Sequence, residues 1–198
     1  MSSKGVPKKD GTTTKTRESE FYSTPVSIIE EFISLPEVSE VFKTWEFFLE
    51  PCVGDGAMIQ GINNLYPQKI WTTCDIRPEC QVQMEVLSCA YRLNIYHLPG
   101  DFLEQDSKYK WDVCITNPPF SLAQEFINKT LTLADHNFYL LRLGTLGSKK
   151  RLPLWEARKP DLYIMHQRPS FTNDGKTDSD YYMWVHFHSE ESGKYKVY

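Results

Sequence analysis

Ten residues, Asp112-Val-Cys-Ile-Thr-Asn-Pro-Pro-Phe-Ser121, constrain this chain more than any other stretch. Val113 to Ile115 form a short apolar run that reads as a buried parallel strand. The run stops at Asn117-Pro118-Pro119-Phe120, because two consecutive prolines lack N–H donors and fix φ, so a sheet ladder cannot continue. A helix-like stretch over residues 121–131 follows. The prolines also hold the residue before them extended, which makes the Asn117 amide and the neighbouring carbonyls a rigid set of acceptors. In an open α/β sheet, a stop at the carboxyl end of a strand is where ligands sit. An amide oxygen, a backbone carbonyl and an aromatic face so close together suit an exocyclic amino group and the base that carries it. A proline turn closed by a core phenylalanine is the plainer reading of the same four residues.

The flanking sequence supplies the rest of such a sheet. Thr24-Pro25 reads as the N-cap and first turn of a helix, with Ile28, Ile29, Phe32 and Ile33 at helical spacing. Residues 45–50 read as the first strand, and they run into Pro51-Cys-Val-Gly54-Asp55-Gly56, where glycines permit positive φ and close approach of a ligand. A helix from Ala57 to about Tyr66 and a strand over residues 69–74 follow, the latter ending in Asp75. That carboxylate lies 21 positions after Gly54, the spacing at which an acidic residue grips a ribose diol in nucleoside-binding α/β folds. A helix over 78–91, a strand near 94–98, Gly100-Asp101-Phe102, the central strand and a strand over 136–142 complete a βαβαβα alternation. This pattern predicts a parallel sheet with helices on both faces. Leu162–Met165 and the alternating run Tyr181–His188 predict a closing hairpin with an antiparallel strand.

Composition narrows the class. The chain has 198 residues, 40% hydrophobic and 24% charged, enough for one domain with its own core. Net charge is −4, so any affinity for nucleic acid must be local. Arg142, Lys149, Lys150, Arg151, Arg158, Lys159 and Arg168 face only Glu156 and Asp161 over residues 142–168, a local excess that suits a phosphate backbone or a solvated helix face. Residues 1–20 read as a flexible basic tail and 21–198 as a single domain. Five cysteines without a CxxC read as reduced thiols. No run is apolar enough to span a membrane, and no signal-peptide core is present, so a cytoplasmic protein is expected. His186 and His188 could share a strand face, but two histidines without a third ligand make a weak zinc pair, so no metal is expected.

Taken together, Phe21-Tyr-Ser-Thr-Pro25, Leu49-Glu-Pro-Cys-Val-Gly-Asp-Gly56, Asp75, Asp101-Phe102 and Asn117-Pro-Pro-Phe120 resemble, in order and spacing, the gamma group of N6-adenine DNA methyltransferases. The resemblance spans residues 21–188. It implies a Rossmann-like methyltransferase domain that uses S-adenosylmethionine (AdoMet), yields S-adenosylhomocysteine, and has a mostly parallel seven-stranded sheet with an antiparallel C-terminal strand. It further implies that Tyr22, Thr24 and Pro25 border the cofactor's methionine end, with Glu50, Pro51, Gly54 and Gly56 in the loop beneath and Asn117 beside it. Asp75 would take the ribose hydroxyls, Ile76 would pack on the adenine, and Asp101 would accept from its amino group with Phe102 alongside. Asn117, Pro118, Pro119 and Phe120 would be the catalytic loop. Phe120 and Phe171 would sandwich a flipped target base, and Lys149, Lys150, Arg151, Arg158, Lys159 and Arg168 would meet the backbone of DNA.

The resemblance has two departures. No separate target-recognition domain is expected, so sequence reading falls to loops around 144–160 and 168–180 or to a protein partner. Second, phage-type relatives of similar length often carry Asp-Pro-Pro-Tyr where this chain has Asn117-Pro-Pro-Phe120; the tetrapeptide of this chain also occurs in enzymes that methylate amino groups in RNA, and an Asn-Pro-Pro-Tyr variant serves protein-glutamine methyltransferases. RNA as substrate, and a catalytically silent subunit that binds nucleic acid or a partner, are the competing readings.

Overall fold

The computed structural model describes residues 21–171, 177–190 and 192–198; the expected basic tail over 1–20 lies outside them. In chain order the elements are α1 (Val26–Ile33), α2 (Pro36–Thr44), β1 (Phe47–Glu50), α3 (Ala57–Leu65), β2 (Ile70–Asp75), α4 (Glu79–Tyr91) and β3 (Asn94–Pro99). They continue with β4 (Trp111–Thr116), α5 (Ala123–Thr130), β5 (Ala134–Arg142), α6 (Leu152–Arg158), β6 (Asp161–Ile164), β7 (Tyr182–Phe187) and β8 (Tyr195–Val197). The strands form one sheet in the order β3-β2-β1-β4-β5-β7-β6-β8. Strands β1 to β5 pair in parallel, β7 runs antiparallel to β5 and β6, and β8 returns parallel to β6.

Alternation along the strands explains the two layers of helices. Successive side chains of a strand point to opposite faces. Phe48, Val113, Phe138 and Trp184 therefore pack with Ile29, Phe32, Phe42 and Ile59 from α1, α2 and α3. Their neighbours Leu49 and Cys114 pack with Leu122 and Phe126. On that second face Tyr139, Leu141 and Val185 meet Ile127 of α5 and Leu154 and Trp155 of α6. Burial on both faces is why the central strands read as continuous apolar runs.

Two expectations need correction, and one element was not expected at all. The sheet has eight strands among the described residues rather than seven, because residues 195–197 add a strand against β6. Its three residues alternate too briefly, and with too much exposed surface, to be recognised beforehand. Thr24 does not cap α1: the cap position is Pro25, without a side-chain cap bond, and the Thr24 hydroxyl is engaged elsewhere. Helix α2 was not anticipated, although Pro36 opens it and Val38 and Phe42 bury one face. All five cysteines are free thiols. Among the described residues no helix is long and apolar enough to cross a membrane.

Phe32 holds the first layer to the sheet. It has no exposed surface and stacks on Trp184 at 4.5 Å and 4°. Phe138 and Tyr163 meet its edge at 5.8 and 5.3 Å. Phe32→Ala is therefore expected to lower the unfolding free energy by about 3–5 kcal/mol, measured by denaturant titration with the m-value unchanged.

Candidate active site

The carboxyl ends of β1, β2 and β4 converge on one crevice. At the end of β1, Glu50 is completely buried. The Cys52 N–H donates to its Oε1 at 3.1 Å, and Oε2 has no hydrogen-bond partner among the described residues. Burial pushes this carboxyl up to about 8, with the nearby Asp75 charge adding to the effect. The loop that follows turns at Gly54, φ +58°, and Gly56, φ +85°. A side chain on Gly54 would lie 2.6 Å from the Phe21 ring, and one on Gly56 would lie 2.3 Å from Leu87 of α4. The first glycine thus faces the crevice, whereas the second makes room for a helix.

Asp75 ends β2 with both oxygens engaged. The Gly54 N–H donates to Oδ2 at 2.9 Å, and the Arg77 Nε–H and backbone N–H donate to Oδ1 at 3.1 and 3.0 Å. The Arg77 guanidinium also lies 3.9 Å from the centre of the Phe21 ring. Phe21 and Arg77 both line the crevice, whose free volume of about 50 Å³ has room for a few waters and not for a nucleoside. Phe21 opens the Phe21–Pro25 motif without a role assigned to it, and Arg77, two positions beyond Asp75, is not marked by the sequence pattern.

At the end of β4 the Asn117 amide is pinned. Its Nδ2 donates to Thr24 Oγ1 at 3.1 Å and approaches the Tyr22 carbonyl at 3.5 Å. A carbonyl can only accept, so the nitrogen must face the arm over residues 22–24 and Oδ1 must face away. Pro118, Pro119 and Phe120 line the same crevice. Tyr22 stacks beside Phe120 at 5.9 Å and 28°, and the Arg142 guanidinium lies 4.3 Å from the Phe120 ring centre. Arg142 is itself held by Asp180 at 3.1 Å. Phe171 packs on Tyr182 at 4.9 Å and reaches the edge of Tyr22 at 6.3 Å. The two aromatics expected to border a base thus sit in one cluster joined through Tyr22 and Tyr182.

Other expected site residues fall elsewhere. Pro25 serves as the cap of α1. Pro51 forms the turn out of β1, Ile76 is half-buried beside Asp75, and neither lines the crevice. Asp101 accepts from the Leu103 N–H at 3.0 Å and so caps a 3-10 turn. Phe102 is buried in the second core layer, stacked on Phe126 at 5.8 Å. The basic run divides. Lys149 and Lys150 are exposed, Arg151 donates to the Phe120 carbonyl at 3.4 Å, and Arg168 lies near Tyr181. Arg158 and Lys159 instead end α6 just before β6, at the amino edge of the sheet, because α6 carries the chain away from the crevice.

No family model matches the sequence, and no curated protein matches it. Solved structures do match. A Pyrococcus horikoshii protein provisionally described as an RNA methyltransferase aligns with a TM-score of 0.63 at 17% identity, over 85% of this chain and 86% of that one. A Listeria monocytogenes protein provisionally described as a class I S-adenosylmethionine-dependent methyltransferase aligns at 0.68 and 12%, over 90% of this chain and 66% of that one. The fold is that of the class I methyltransferases. A Plasmodium falciparum dimethyladenosine transferase shares this fold at 0.61 and 19%, over 87% of this chain and 64% of its own. At these identities the methyltransferase likeness is one of fold.

Glu50 gives the crevice a measurable pH signature. The folded chain holds a proton that the unfolded chain, with an ordinary carboxyl near 4.5, releases. This contribution is fully present below the unfolded value and is lost as pH rises through about 8. Between about pH 5 and about pH 9 the wild type should lose a few kcal/mol relative to Glu50→Gln, which lacks the titrating proton. Parallel denaturant unfolding of the two proteins across that range measures the difference.

Proposed function

We propose that this chain transfers a methyl group from AdoMet to the N6 amino group of adenine, and that the adenine belongs to DNA. The observation that carries the reading is the pinned Asn117 amide, whose nitrogen is held by Thr24 so that its oxygen faces away from the arm, in a crevice that Pro118 and Phe120 also line. The crevice also fits the cofactor chemically. Glu50 offers a buried carboxyl whose Oε2 has no partner among the described residues and whose proton a cationic group would displace, and Asp75, once Arg77 has left its Oδ1, offers a carboxylate behind the Gly54 turn to a ribose diol. Phe21 and Arg77 have to swing out to admit it. Tyr22 and Thr24 then border its methionine end, while Ile76 and Asp101 flank the adenine.

Bound AdoMet supplies an electrophilic sulfonium methyl. Asn117 Oδ1 and the Pro118 carbonyl accept the two N–H bonds of the target amino group, whose lone pair is otherwise delocalised into the ring. Held this way, the nitrogen is drawn toward tetrahedral geometry and aimed along the displacement path, so positioning supplies most of the rate. Asn117 is neutral and takes no proton; the proton leaves after transfer. Phe120 stacks on the extruded base, with Tyr22 and Phe171 as the opposing aromatics, and offsets part of the unstacking cost. Arg142, Arg151 and Arg168 stand where the nucleic-acid backbone would pass.

RNA is the second reading. It is favoured by the fold neighbours, which include a 23S rRNA methyltransferase aligned over 85% of this chain with a TM-score of 0.59. Labelled methyl transfer to duplex DNA, single-stranded DNA and RNA, followed by nucleoside mass analysis, separates the two. N6-methyladenine in DNA is the expected product; label confined to RNA transfers the same site to the other substrate. Asn117→Ala is expected to lower transfer about 100-fold or more while AdoMet binding by calorimetry stays within several-fold. Unchanged turnover in that variant would remove Asn117 from the chemistry.

A further inference from the structure

At the amino edge of the sheet, opposite the crevice, three histidines and an aspartate meet on one face of three neighbouring strands. Register brings them together. Phe138 of β5 and Asp161 of β6 both stand opposite His186 of β7. Residues two apart share a face, so His136 and His188 join His186 and Asp161 there. The ring centres are 5.2 Å apart for His136 and His186, and 4.5 Å apart for His186 and His188.

Their polar atoms meet in two hydrogen-bonded pairs. His136 Nδ1 lies 3.0 Å from His186 Nε2, and His188 Nε2 lies 3.2 Å from Asp161 Oδ2. One ligand atom from each of Asp161, His186 and His188 falls within 4.8 Å of the others. In a tetrahedral zinc site with bonds of about 2.0–2.1 Å, neighbouring ligand atoms are about 3.3 Å apart. Each short pair therefore has nearly the spacing of two ligands on a single ion. The outer shell is in place as well. Asp161 Oδ1 accepts from Ser192 Oγ at 2.5 Å and from the Lys194 N–H at 2.8 Å, which fixes the carboxylate with Oδ2 turned to His188. Phe138 lies flat on His186 at 4.0 Å and 15°, which sets that ring's plane. A groove of about 490 Å³, bordered by Glu190 and Lys194, leads to the cluster.

We propose that Asp161, His186 and His188, with His136 as the fourth ligand, bind one divalent transition-metal ion, zinc(II). A set of three imidazoles and one carboxylate suits zinc and its first-row neighbours, and four protein ligands make a closed, structural site. The ion ties β5, β6 and β7 together at the end remote from the crevice. Through Ser192 and Lys194 it also steadies the turn into β8. The paired histidines of β7 lack a third ligand in the linear sequence; the strand order β5-β7-β6 supplies it.

The test uses the full-length protein, stripped with a chelator and desalted. Zinc(II) is titrated by calorimetry, and cobalt(II) is followed by visible absorption. We expect one ion per chain with Kd of about 1 μM or tighter. The cobalt spectrum should show tetrahedral d–d bands without thiolate charge transfer, which separates this site from the five free cysteines. Zinc should raise the melting temperature of the wild type and not of His188→Gln. Asp161→Asn keeps Oδ1 as an acceptor for Ser192 and Lys194, and it should weaken zinc binding about 100-fold, as should His188→Gln. A wild-type Kd weaker than about 100 μM, a thiolate charge-transfer band, or unchanged affinity in both variants would overturn the proposal. If the variants do not fold, the wild-type stoichiometry, affinity and cobalt spectrum decide it alone.

Discussion

The site depends on where the sheet changes direction. From β1 the chain builds outward through β2 to β3, and from β4 it builds the other way through β5. The strands β1 and β4 are left side by side, with their crossovers departing over opposite faces. A gap at the carboxyl ends of such a pair is a consequence of topology, before any side chain is chosen. Glu50 and Asn117 follow that geometry directly, since each stands at or just beyond the end of one of the two strands. The prolines after Asn117 then keep the gap open by forbidding the ladder from extending into it.

Much of this was legible in the sequence because it is local. The stop at Pro118-Pro119, the glycines after β1, the Asp75 spacing and the apolar runs each act within one or two elements. Elements β1 to β5 fall within a residue or two of where the pattern places them. What escaped was long-range. Thr24 reads as a helix cap until the fold brings its hydroxyl to Asn117, 93 positions away. Nothing near Arg77 announces that it will occupy the Asp75 carboxylate. Arg158 and Lys159 read as part of one basic patch with Lys149 to Arg151, yet a short helix separates them to opposite edges of the sheet. Asp161, His186 and His188 are two weak signals until strand order makes them neighbours.

The crevice contains a feature that a stability-minded sequence would avoid. A fully buried carboxyl with one oxygen unpartnered among the described residues costs folding free energy. Features of this kind survive where a ligand completes them. Elsewhere the interior is conventional: stacked aromatics on one face of the sheet, aliphatic and aromatic side chains of α5 and α6 on the other.

The arm over residues 21–24 touches both halves of the crevice. Phe21 covers Gly54 and Arg77, while the next residue, Tyr22, stacks beside Phe120 and offers its carbonyl to Asn117. A displacement that uncovers the glycine turn is thus transmitted through a single peptide unit to the slot where a second molecule would stack. Under the proposed function the two ligands share this hinge, so the first to move the arm would reshape the entrance for the other, and the order of encounter would be set by the connection between two adjacent aromatic residues.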